Sequence, residues 1–498
     1  MNAPLRRVGV VLMVMFGLLF ANLNWVQAYK ADEYRNSPYN AGRVQIEEYQ
    51  RERGRIIAAG EALAVSVETG GRLTYLRTYP EDDLWAHVVG YKPVNIGPTG
   101  IELFENEFLA GTGDRFFVDR VRDLFTGGST AGGNVVTTLS RPGQETAYAE
   151  LRGNAVGASR GSVVAINPRT GAVQVMVSMP AFDPNPLASH DPAEAQAAYD
   201  ELNADPQRPL LNRVTAERYP PGSVFKVIDS AAALMNGLTP DSTLAGGAEY
   251  LPPTAGQPVR NAPGVVCPNE ITLRQALVVS CNTAFSHLMA EELGGDVLAE
   301  TAAAFGVGEE LTVGRLDEDG IPVAPSQVGD LKRPDGQDDP PTVAQSAIGQ
   351  ANVALTPLQA VLIPAAVVND GVQMRPYLVQ ELQAPDLRPL YTASPQELRR
   401  AIPSEVAAAL QDMMVGVVAE GTGRNAQIAG AVVGGKTGTA ETGDQPEHGW
   451  FVGFAIVDGT PVTAVAVMLE NAGNGGSAEA TRIAGAVMRA VIEDQGGG

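Results

Sequence analysis

Cysteine and histidine are both scarce in this chain of 498 residues, which has two cysteines and four histidines. The histidines are far apart and show none of the close spacings of metal ligands, so we expect no zinc or other metal site. The two cysteines, Cys267 and Cys281, allow a single disulfide, and two buried free thiols are the alternative.

Positive charge is also in short supply. Lys and Arg number 35 against 57 Asp and Glu, which gives a net charge of −22 at pH 7. A protein that binds nucleic acid needs a basic face for the phosphates, and this balance therefore argues against a nucleic-acid partner. The negative charge favours solubility and identifies no substrate.

The N-terminus differs from the rest of the chain because it is basic and apolar. Arg6 and Arg7 precede Val8 to Ala28, an uncharged run just long enough to cross a bilayer. The positive residues predict that residues 1–7 stay in the cytoplasm and that the bulk of the chain lies outside the cell membrane. A cleavable signal peptide ending at Val26-Gln27-Ala28 is the alternative, and either interpretation exports the remainder.

Export changes the interpretation of the two cysteines. Cys267 and Cys281 would lie in an oxidising compartment, fourteen positions apart, where a disulfide closes a short loop. Such a loop contributes up to about 3 kcal/mol to stability in the chain-entropy model. We therefore favour a disulfide between them.

The length predicts at least two domains after the span. Residues 29–139 are predicted to form a non-catalytic pedestal that begins with a charged stalk. Within it, residues 62–67 and 72–77 read as a hairpin around Gly70-Gly71, and Ile101, Phe104, Phe108 and Leu109 predict one amphipathic helix. Nothing in this part pairs a nucleophile with a base.

Residues 140–498 are predicted to form the larger domain. Two apolar, β-rich runs at 162–167 and 173–178 flank a Pro-Arg-Thr-Gly turn and predict a hairpin. The acidic, Pro- and Gly-rich segment 308–341 reads as a solvated surface insertion, with a wet loop at Asp317 to Asp319.

A candidate nucleophile lies in Tyr219-Pro-Pro-Gly-Ser-Val-Phe-Lys226, where a loop leads into an apolar helix. Ser223 and Lys226 are three positions apart, so one helix face carries both the hydroxyl and the amine. A serine needs a base to become a nucleophile, and a lysine serves if burial and a neighbouring cation lower its pKa enough to keep it neutral.

Two further motifs follow. Ser280 and Asn282 lie at the predicted corner of a helix–turn–helix, where they can face one cleft while Cys281 points away. Lys436, Thr437, Gly438 and Thr439 follow two glycines at the end of a strand, and their cation and hydroxyls suit a carboxylate. The spacing of a phosphate-binding Gly-x-x-x-x-Gly-Lys loop is not met.

Ser-x-x-Lys, Ser-x-Asn and Lys-Thr-Gly, in this order, are the active-site set of the penicillin-recognising serine acyltransferases. The chain resembles the class B penicillin-binding proteins, which are monofunctional transpeptidases, and most closely their actinobacterial type A members. Residues 165–171, 348–359 and 449–454 resemble further parts of that family's catalytic domain. In the pedestal, Arg53-Gly54 and Gly100-Ile101-Glu102 match the family, although the usual Asp-Arg-Asn-Gly continuation is missing.

The resemblance implies a role for each motif residue. Ser223 would attack the D-Ala-D-Ala bond of a peptidoglycan stem peptide, Lys226 would take its proton, and Ser280 would pass a proton to the leaving D-alanine. Asn282 would bind the substrate amide. Lys436, Thr437 and Thr439, with Gly438 between them, would hold the terminal carboxylate, and the N–H groups of Ser223 and Thr439 would form the oxyanion hole.

The resemblance also implies partners and a fold. An amine of a neighbouring stem would resolve the acyl-enzyme, penicillins would trap it, and no cofactor would be needed. The lipid-linked precursor and a membrane glycosyltransferase would be partners. The implied fold is an α/β (α+β) transpeptidase domain with an antiparallel sheet flanked by helices, the strands including 162–167, 173–178, 432–440, 450–457 and 462–470. Residues 477–492 would form the closing helix and 494–498 a frayed tail.

Three alternatives share parts of this pattern. A β-lactamase would hydrolyse the ester, but class A enzymes place their glutamate after Ser-x-Asn, whereas Glu201 precedes Ser223. A DD-carboxypeptidase would use water as acceptor. A non-enzymatic β-lactam sensor or scaffold is the third, although only a few residues precede Val8 for a cytoplasmic output domain.

Overall fold

The computed structural model describes residues 2–30, 46, 48–113 and 131–496. The predicted stalk falls largely outside these residues. The α-helices are α1 Asn2–Asn24, α2 Ala86–Val89, α3 Gly100–Phe104, α4 Asn106–Leu109, α5 Arg141–Arg152, α6 Pro192–Ala204, α7 Lys226–Met235, α8 Leu273–Val279, α9 Asn282–His287, α10 Gly295–Ala304, α11 Pro340–Ala347, α12 Pro357–Val368, α13 Ser404–Ala419 and α14 Gly476–Gly496.

The strands of the pedestal are short, and those of the larger domain that follow α13 are long. They are β1 Ile56–Ala58, β2 Glu61–Glu68, β3 Tyr75–Thr78, β4 Asn134–Thr137, β5 Arg160–Ile166, β6 Val173–Met179, β7 Thr243–Ala245, β8 Glu249–Tyr250, β9 Val259–Arg260, β10 Glu270–Thr272, β11 Leu311–Val313, β12 Ile321–Val323, β13 Val372–Met374, β14 Val379–Gln383, β15 Pro389–Thr392, β16 Glu397–Arg400, β17 Val432–Thr442, β18 Gln445–Val457 and β19 Thr460–Glu470.

A five-stranded antiparallel sheet forms the centre of the larger domain, in the order β17-β18-β19-β5-β6. The strands predicted from the sequence are all present in it, which confirms the antiparallel architecture. α14 and α5 pack on one face, and the fully buried α12 packs on the other. Because both faces are covered, β5 and β6 are apolar almost throughout rather than alternating. The strand β17 lies at an edge of the sheet.

Ser223 precedes α7, which lies between α10, α13 and α8 on the α12 side of the sheet. All residues of α7 from Lys226 to Ala233 are buried, so this helix is part of the core and holds its first turn rigidly.

The pedestal is built on a second sheet, in the order β15-β14-β4-β1-β2-β3. The hairpin predicted around Gly70-Gly71 is confirmed, although β3 begins at Tyr75 instead of Arg72. Two of the six strands, β14 and β15, come from residues 379–392 of the larger domain. The predicted boundary between residues 139 and 140 stays a prediction, but the sheet itself is shared.

Three predictions of local structure need correction. The amphipathic helix at 101–109 is two short helices, α3 and α4, separated where Glu105 adopts φ −108° and ψ 22°. The segment 308–341 is not wholly a solvated insertion, because β11 and β12 pair and Arg315 between them is buried, with Glu105 at 3.4 Å and Asp317 at 2.8 Å. The tail is helical as far as Gly496.

The N-terminal run forms α1 and one further turn of π-helix to Tyr29. Of the residues that the structure describes, Arg6–Tyr29 is the one helix that is both long and apolar enough to cross a membrane. Its apolar window is not buried against any other described segment, as expected for a helix that could cross a membrane.

Candidate active site

Ser223 lies in a single 3-10 turn, Gly222–Phe225, that runs directly into α7. Gly222 adopts φ +54°, a conformation that glycine permits at low cost. The Ser223 side chain is half-buried, and its hydroxyl has no hydrogen-bond partner among the described residues. The predicted nucleophile is therefore accessible and unengaged.

Lys226 is fully buried one turn later and points towards the corner between α8 and α9. Its Nζ donates to Asn282 Oδ1 at 2.6 Å and to the backbone oxygen of Ser280 at 2.9 Å, and it lies 3.3 Å from Ser280 Oγ. The amine predicted to act as base is thus held by the second motif.

Ser280 occupies an unusual backbone position. It caps the C-terminus of α8 in the left-handed region, with φ 63° and ψ 43°, and glycine is the residue usually found there. This turn directs both its carbonyl and its hydroxyl towards Lys226. Lys436 Nζ donates to the same hydroxyl at 2.8 Å, so Ser280 Oγ lies between two amines and can pass a proton along a line of three groups.

Both lysines have lowered pKa values because they are buried. Burial is the larger cause of the decrease in the pKa of Lys226, which falls well below its ordinary value, and the neighbouring Lys436 adds to it. Burial lowers the pKa of Lys436 to about 7. The lowered pKa of Lys226 favours the neutral amine that a general base must supply, and Lys436 is divided between its charged and neutral forms near pH 7.

Asp229 is a charged-type residue that sequence reasoning missed. It lies one turn after Lys226 and is fully buried, and neither carboxyl oxygen has a hydrogen-bond partner within the described part of the chain. Burial raises its pKa well above the ordinary value, against the opposing effect of Lys226. The raised pKa favours the protonated acid, which weakens the effect of Asp229 in holding Lys226 in its charged form. The sequence did offer a signal for Asp229, because it is an acidic residue within the mostly apolar stretch 227–234.

The edge strand β17 lies directly against the Ser223 turn. A Cβ atom on Gly222 would be 2.2 Å from Thr439 O, and one on Gly438 would be 2.6 Å from Pro221 O. These glycines are required because the two backbones touch. On this strand Lys436 turns inward, whereas Thr437 and Thr439 share the opposite face, and Thr439 is exposed beside Ser223.

Thr422 is a second residue that the motifs did not reveal. It lies in the loop after α13, and its Oγ1 is 2.6 Å from Thr437 Oγ1. One of the two hydroxyls donates to the other, so Thr422 determines how the Thr437 hydroxyl is oriented. No local pattern around Gly421-Thr422-Gly423 predicts this, since the contact joins two segments that only the fold brings together.

The disulfide predicted between Cys267 and Cys281 is present. It ties the loop after β9 to the corner that carries Ser280 and Asn282. Hydrogen bonds reinforce the attachment: Asn282 N donates to Asn261 Oδ1, and Asn282 Nδ2 donates to Arg260 O, each at 2.8 Å. Cys281, the middle residue of the Ser-x-Asn motif, thereby fixes the position of this corner through its disulfide.

We expect removal of this disulfide to lower stability measurably. Replacing both cysteines by serine should reduce the free energy of unfolding by up to about 3 kcal/mol, because the unfolded chain regains the entropy of an open loop. Denaturant unfolding of the protein in detergent would measure this change. Wild type reduced with a thiol is the control and should match the variant. Equal stability of oxidised wild type and variant would contradict the prediction.

The structure thus brings together Lys226, Ser280, Asn282 and Lys436 by direct hydrogen bonds and sets Ser223, Thr437, Gly438 and Thr439 beside them. Glu201, which resembled a β-lactamase glutamate, is exposed on the surface helix α6. Across the described residues, no group of three or more His, Cys, Asp and Glu is placed to hold a metal ion.

Comparison with known proteins matches almost the whole chain. Residues 161–489 match the family model for the penicillin binding protein transpeptidase domain, and residues 53–135 match that for the penicillin binding protein A dimerisation domain. The peptidoglycan D,D-transpeptidase PbpA of Mycolicibacterium smegmatis is 42% identical over 498 residues, covering 99% of this chain and 98% of the relative. PbpA of Mycobacterium tuberculosis is 40% identical over 499 residues, covering 99% of each chain.

Solved structures agree with the sequence matches. The imipenem acyl-enzyme complex of penicillin-binding protein A from M. tuberculosis superposes with a TM-score of 0.82 at 39% identity, covering 90% of this chain and 100% of that one. A penicillin G acyl-enzyme complex of the same protein gives a TM-score of 0.80 at 38% identity, covering 89% and 99% of the two chains.

Proposed function

Because the chain belongs to the class B penicillin-binding proteins, we propose that Ser223 is the residue acylated when it crosslinks peptidoglycan. The chain is a serine-type peptidoglycan D,D-transpeptidase. The observation that carries the assignment of residues is the hydrogen-bonded line Lys226–Ser280–Lys436. Ser223 lies one turn before Lys226, in the turn that packs against Thr439 of β17.

In the proposed acylation, Ser223 Oγ attacks the carbonyl between the two D-alanines of a donor stem peptide while Lys226 Nζ takes its proton. The N–H groups of Ser223 and Thr439 stabilise the oxyanion. The C–N bond then breaks, and the departing D-alanine amine receives a proton through Ser280. The lowered pKa of Lys226 supports this order, because a charged lysine cannot accept the first proton.

Substrate binding is proposed to depend on β17. Lys436, Thr437 and Thr439 would bind the terminal carboxylate, with Thr422 orienting the hydroxyl of Thr437, and Asn282 would hold the donor amide. The free edge of β17 supports this proposal, since an extended peptide can add to it as a further strand. Penicillins, which carry a carboxylate beside a reactive amide, would use the same contacts.

In the second half-reaction, an amine of a neighbouring stem attacks the ester, Ser223 regains its proton, and a crosslink forms. A DD-carboxypeptidase would deliver water instead. The β-lactamase alternative is disfavoured by the exposed position of Glu201 and by the relative from M. tuberculosis, which was solved as acyl-enzymes with imipenem and penicillin G.

The proposed cellular placement follows from α1. Residues 1–7 would lie in the cytoplasm, 8–28 would span the membrane, 29–139 would form the pedestal, and 140–498 the transpeptidase domain outside. A membrane glycosyltransferase that polymerises the lipid-linked precursor is the proposed partner, because crosslinking requires new glycan strands beside the enzyme.

Two assays on the full chain in detergent test this function. A fluorescent penicillin should give a stable covalent band, because acylation proceeds and water is excluded from the ester. A D-Ala-D-Ala pentapeptide supplied with an amine acceptor should give crosslinked product and released D-alanine.

The assays also separate the alternatives. Rapid loss of the label would identify a β-lactamase, and D-alanine release that is equally fast without the amine would identify a carboxypeptidase. Absence of any label would indicate a scaffold.

A further inference from the structure

The pedestal contains a small open pocket, distant in sequence from every residue of the candidate active site. Its lining is unusually rich in cations for a chain with a net charge of −22. The residues that line it are Glu48, Tyr49, Arg51, Arg53, Ser66, Tyr75, Arg77, Lys92 and Ala110.

The base of the pocket holds two buried guanidiniums that share one carboxylate. Arg53 and Arg77 are 8% and 3% exposed, and Glu102 is fully buried. The Nε atoms of Arg53 and Arg77 donate to Glu102 at 2.7 Å and 2.5 Å respectively. Burial alone would raise the pKa of Glu102, but the two guanidiniums hold it below its ordinary value, so the carboxylate is ionised. The two guanidiniums carry two positive charges against the single charge of Glu102, and Arg53 lies in addition 3.8 Å from Glu48 Oε1.

The rim adds further positive charge. Lys92 pairs with Glu48 at 3.0 Å, which leaves that pair neutral. Arg51 donates one hydrogen bond to Ala110 O at 3.3 Å and contacts no carboxylate in the described residues. The four cations of the lining exceed the two carboxylates, Glu48 and Glu102, by two. Cations removed from water are costly unless an anion compensates them.

Two hydrogen-bond donors in the pocket have no acceptor among the described residues: Arg77 Nη2 and the hydroxyl of Tyr49. Tyr49 is 6% exposed. Burial is the main reason that its pKa is raised, and the hydroxyl therefore keeps its proton and remains a donor. A water molecule would satisfy the hydrogen bonds but not the excess charge, whereas a small oxyanion satisfies both.

We propose that this pocket is a binding site for a small oxyanion, a phosphate or a carboxylate, held by Arg51, Arg53, Arg77, Lys92 and Tyr49. The site is separate from transpeptidation and does not depend on the roles proposed for Ser223 or Lys226. Its position in the pedestal means that bound oxyanion stabilises the non-catalytic half of the protein. A free anion and an acidic group of a partner would present the same chemistry.

The test is thermal unfolding of the full chain in detergent, titrated with sodium phosphate or with sodium glutarate. Sodium chloride holds the ionic strength constant. For wild type we expect a saturable rise in Tm with an oxyanion and no rise with chloride alone, because binding to the folded state shifts the unfolding equilibrium. Phosphate and glutarate distinguish a phosphate ligand from a carboxylate ligand.

Three variants make the test specific. Arg51→Gln and Tyr49→Phe each remove one donor side chain from the pocket and leave the buried triad intact. Each should weaken oxyanion binding, so that the concentration at half of the maximal rise in Tm increases by about tenfold. Arg55→Gln is the matched control, since this exposed arginine is close in sequence but outside the pocket, and it should behave as wild type. Retained penicillin labelling verifies that each variant is folded.

An unsaturable rise in Tm that is equal in all four proteins would be general salt stabilisation and would overturn the proposal. No rise in wild type would overturn it as well. Either result leaves the proposed transpeptidase activity untouched, because the penicillin label reports that activity separately.

Discussion

Replacing Ser223 by alanine is expected to abolish covalent labelling by a fluorescent penicillin. The label needs an oxygen nucleophile in the turn before α7, and among the described residues only the Ser223 hydroxyl lies one turn before Lys226. Removing a serine nucleophile costs a hydrolase more than about a thousandfold in rate, so the band should fall below detection. The measurement is fluorescence of the protein band after denaturing electrophoresis.

Ser230→Ala is the matched control for this experiment. Ser230 is buried on the same helix, and its hydroxyl is engaged by the backbone oxygen of Lys226 at 2.8 Å. The control should label at a rate within about threefold of wild type, since a single net hydrogen bond of this kind contributes about 1 kcal/mol or less. A band that persists in Ser223→Ala would remove Ser223 as the nucleophile.

Replacing Lys226 by arginine is expected to slow acylation by about a hundredfold to ten-thousandfold, the usual contribution of a general base. Arginine keeps the positive charge and much of the length but stays protonated at any working pH, and it therefore cannot accept the Ser223 proton. The second-order rate constant for penicillin acylation measures the loss. Lys332→Arg, on an exposed surface loop, is the control and should match wild type.

The pH dependence of acylation tests the same lysine in the wild-type protein. Acylation should fall as the pH drops through the pKa of Lys226, which is lowered, because the protonated amine is not a base. It should also fall as the pH rises through about 7, where Lys436 loses the charge that attracts the donor carboxylate. The expected profile is therefore bell-shaped.

A rate for the Lys226→Arg variant equal to wild type would contradict the assignment of the base.

The comparison of sequence with structure separates two kinds of information. The hairpin of β5 and β6, the strands β17 to β19, the closing helix and the N-terminal span were predictable because each depends on periodicity and turn residues within a few positions. The disulfide was also predictable, since the chain has two cysteines and these allow one pairing.

Contacts between distant segments were not predictable in this way. The pairing of β14 with β4 joins residues 379–383 to 134–137, and the hydrogen bond between Thr422 and Thr437 joins a loop of unremarkable sequence to β17. The left-handed turn at Ser280 was not predictable either, because it orients Ser280 towards Lys226 and Lys436, which are distant from it in sequence. Neither the excess charge of the pedestal pocket nor the raised pKa of Asp229 follows from composition.

By itself, the sequence predicted which side chains would carry the chemistry, because the proposed nucleophile, base and carboxylate-binding groups form short local patterns. Tertiary structure alone decided how they act. Burial lowers the pKa of Lys226 and Lys436, and burial is the sum of contacts from helices and strands hundreds of residues apart. The desolvation that lowers these two pKa values arises only when the whole domain has folded around the lysines.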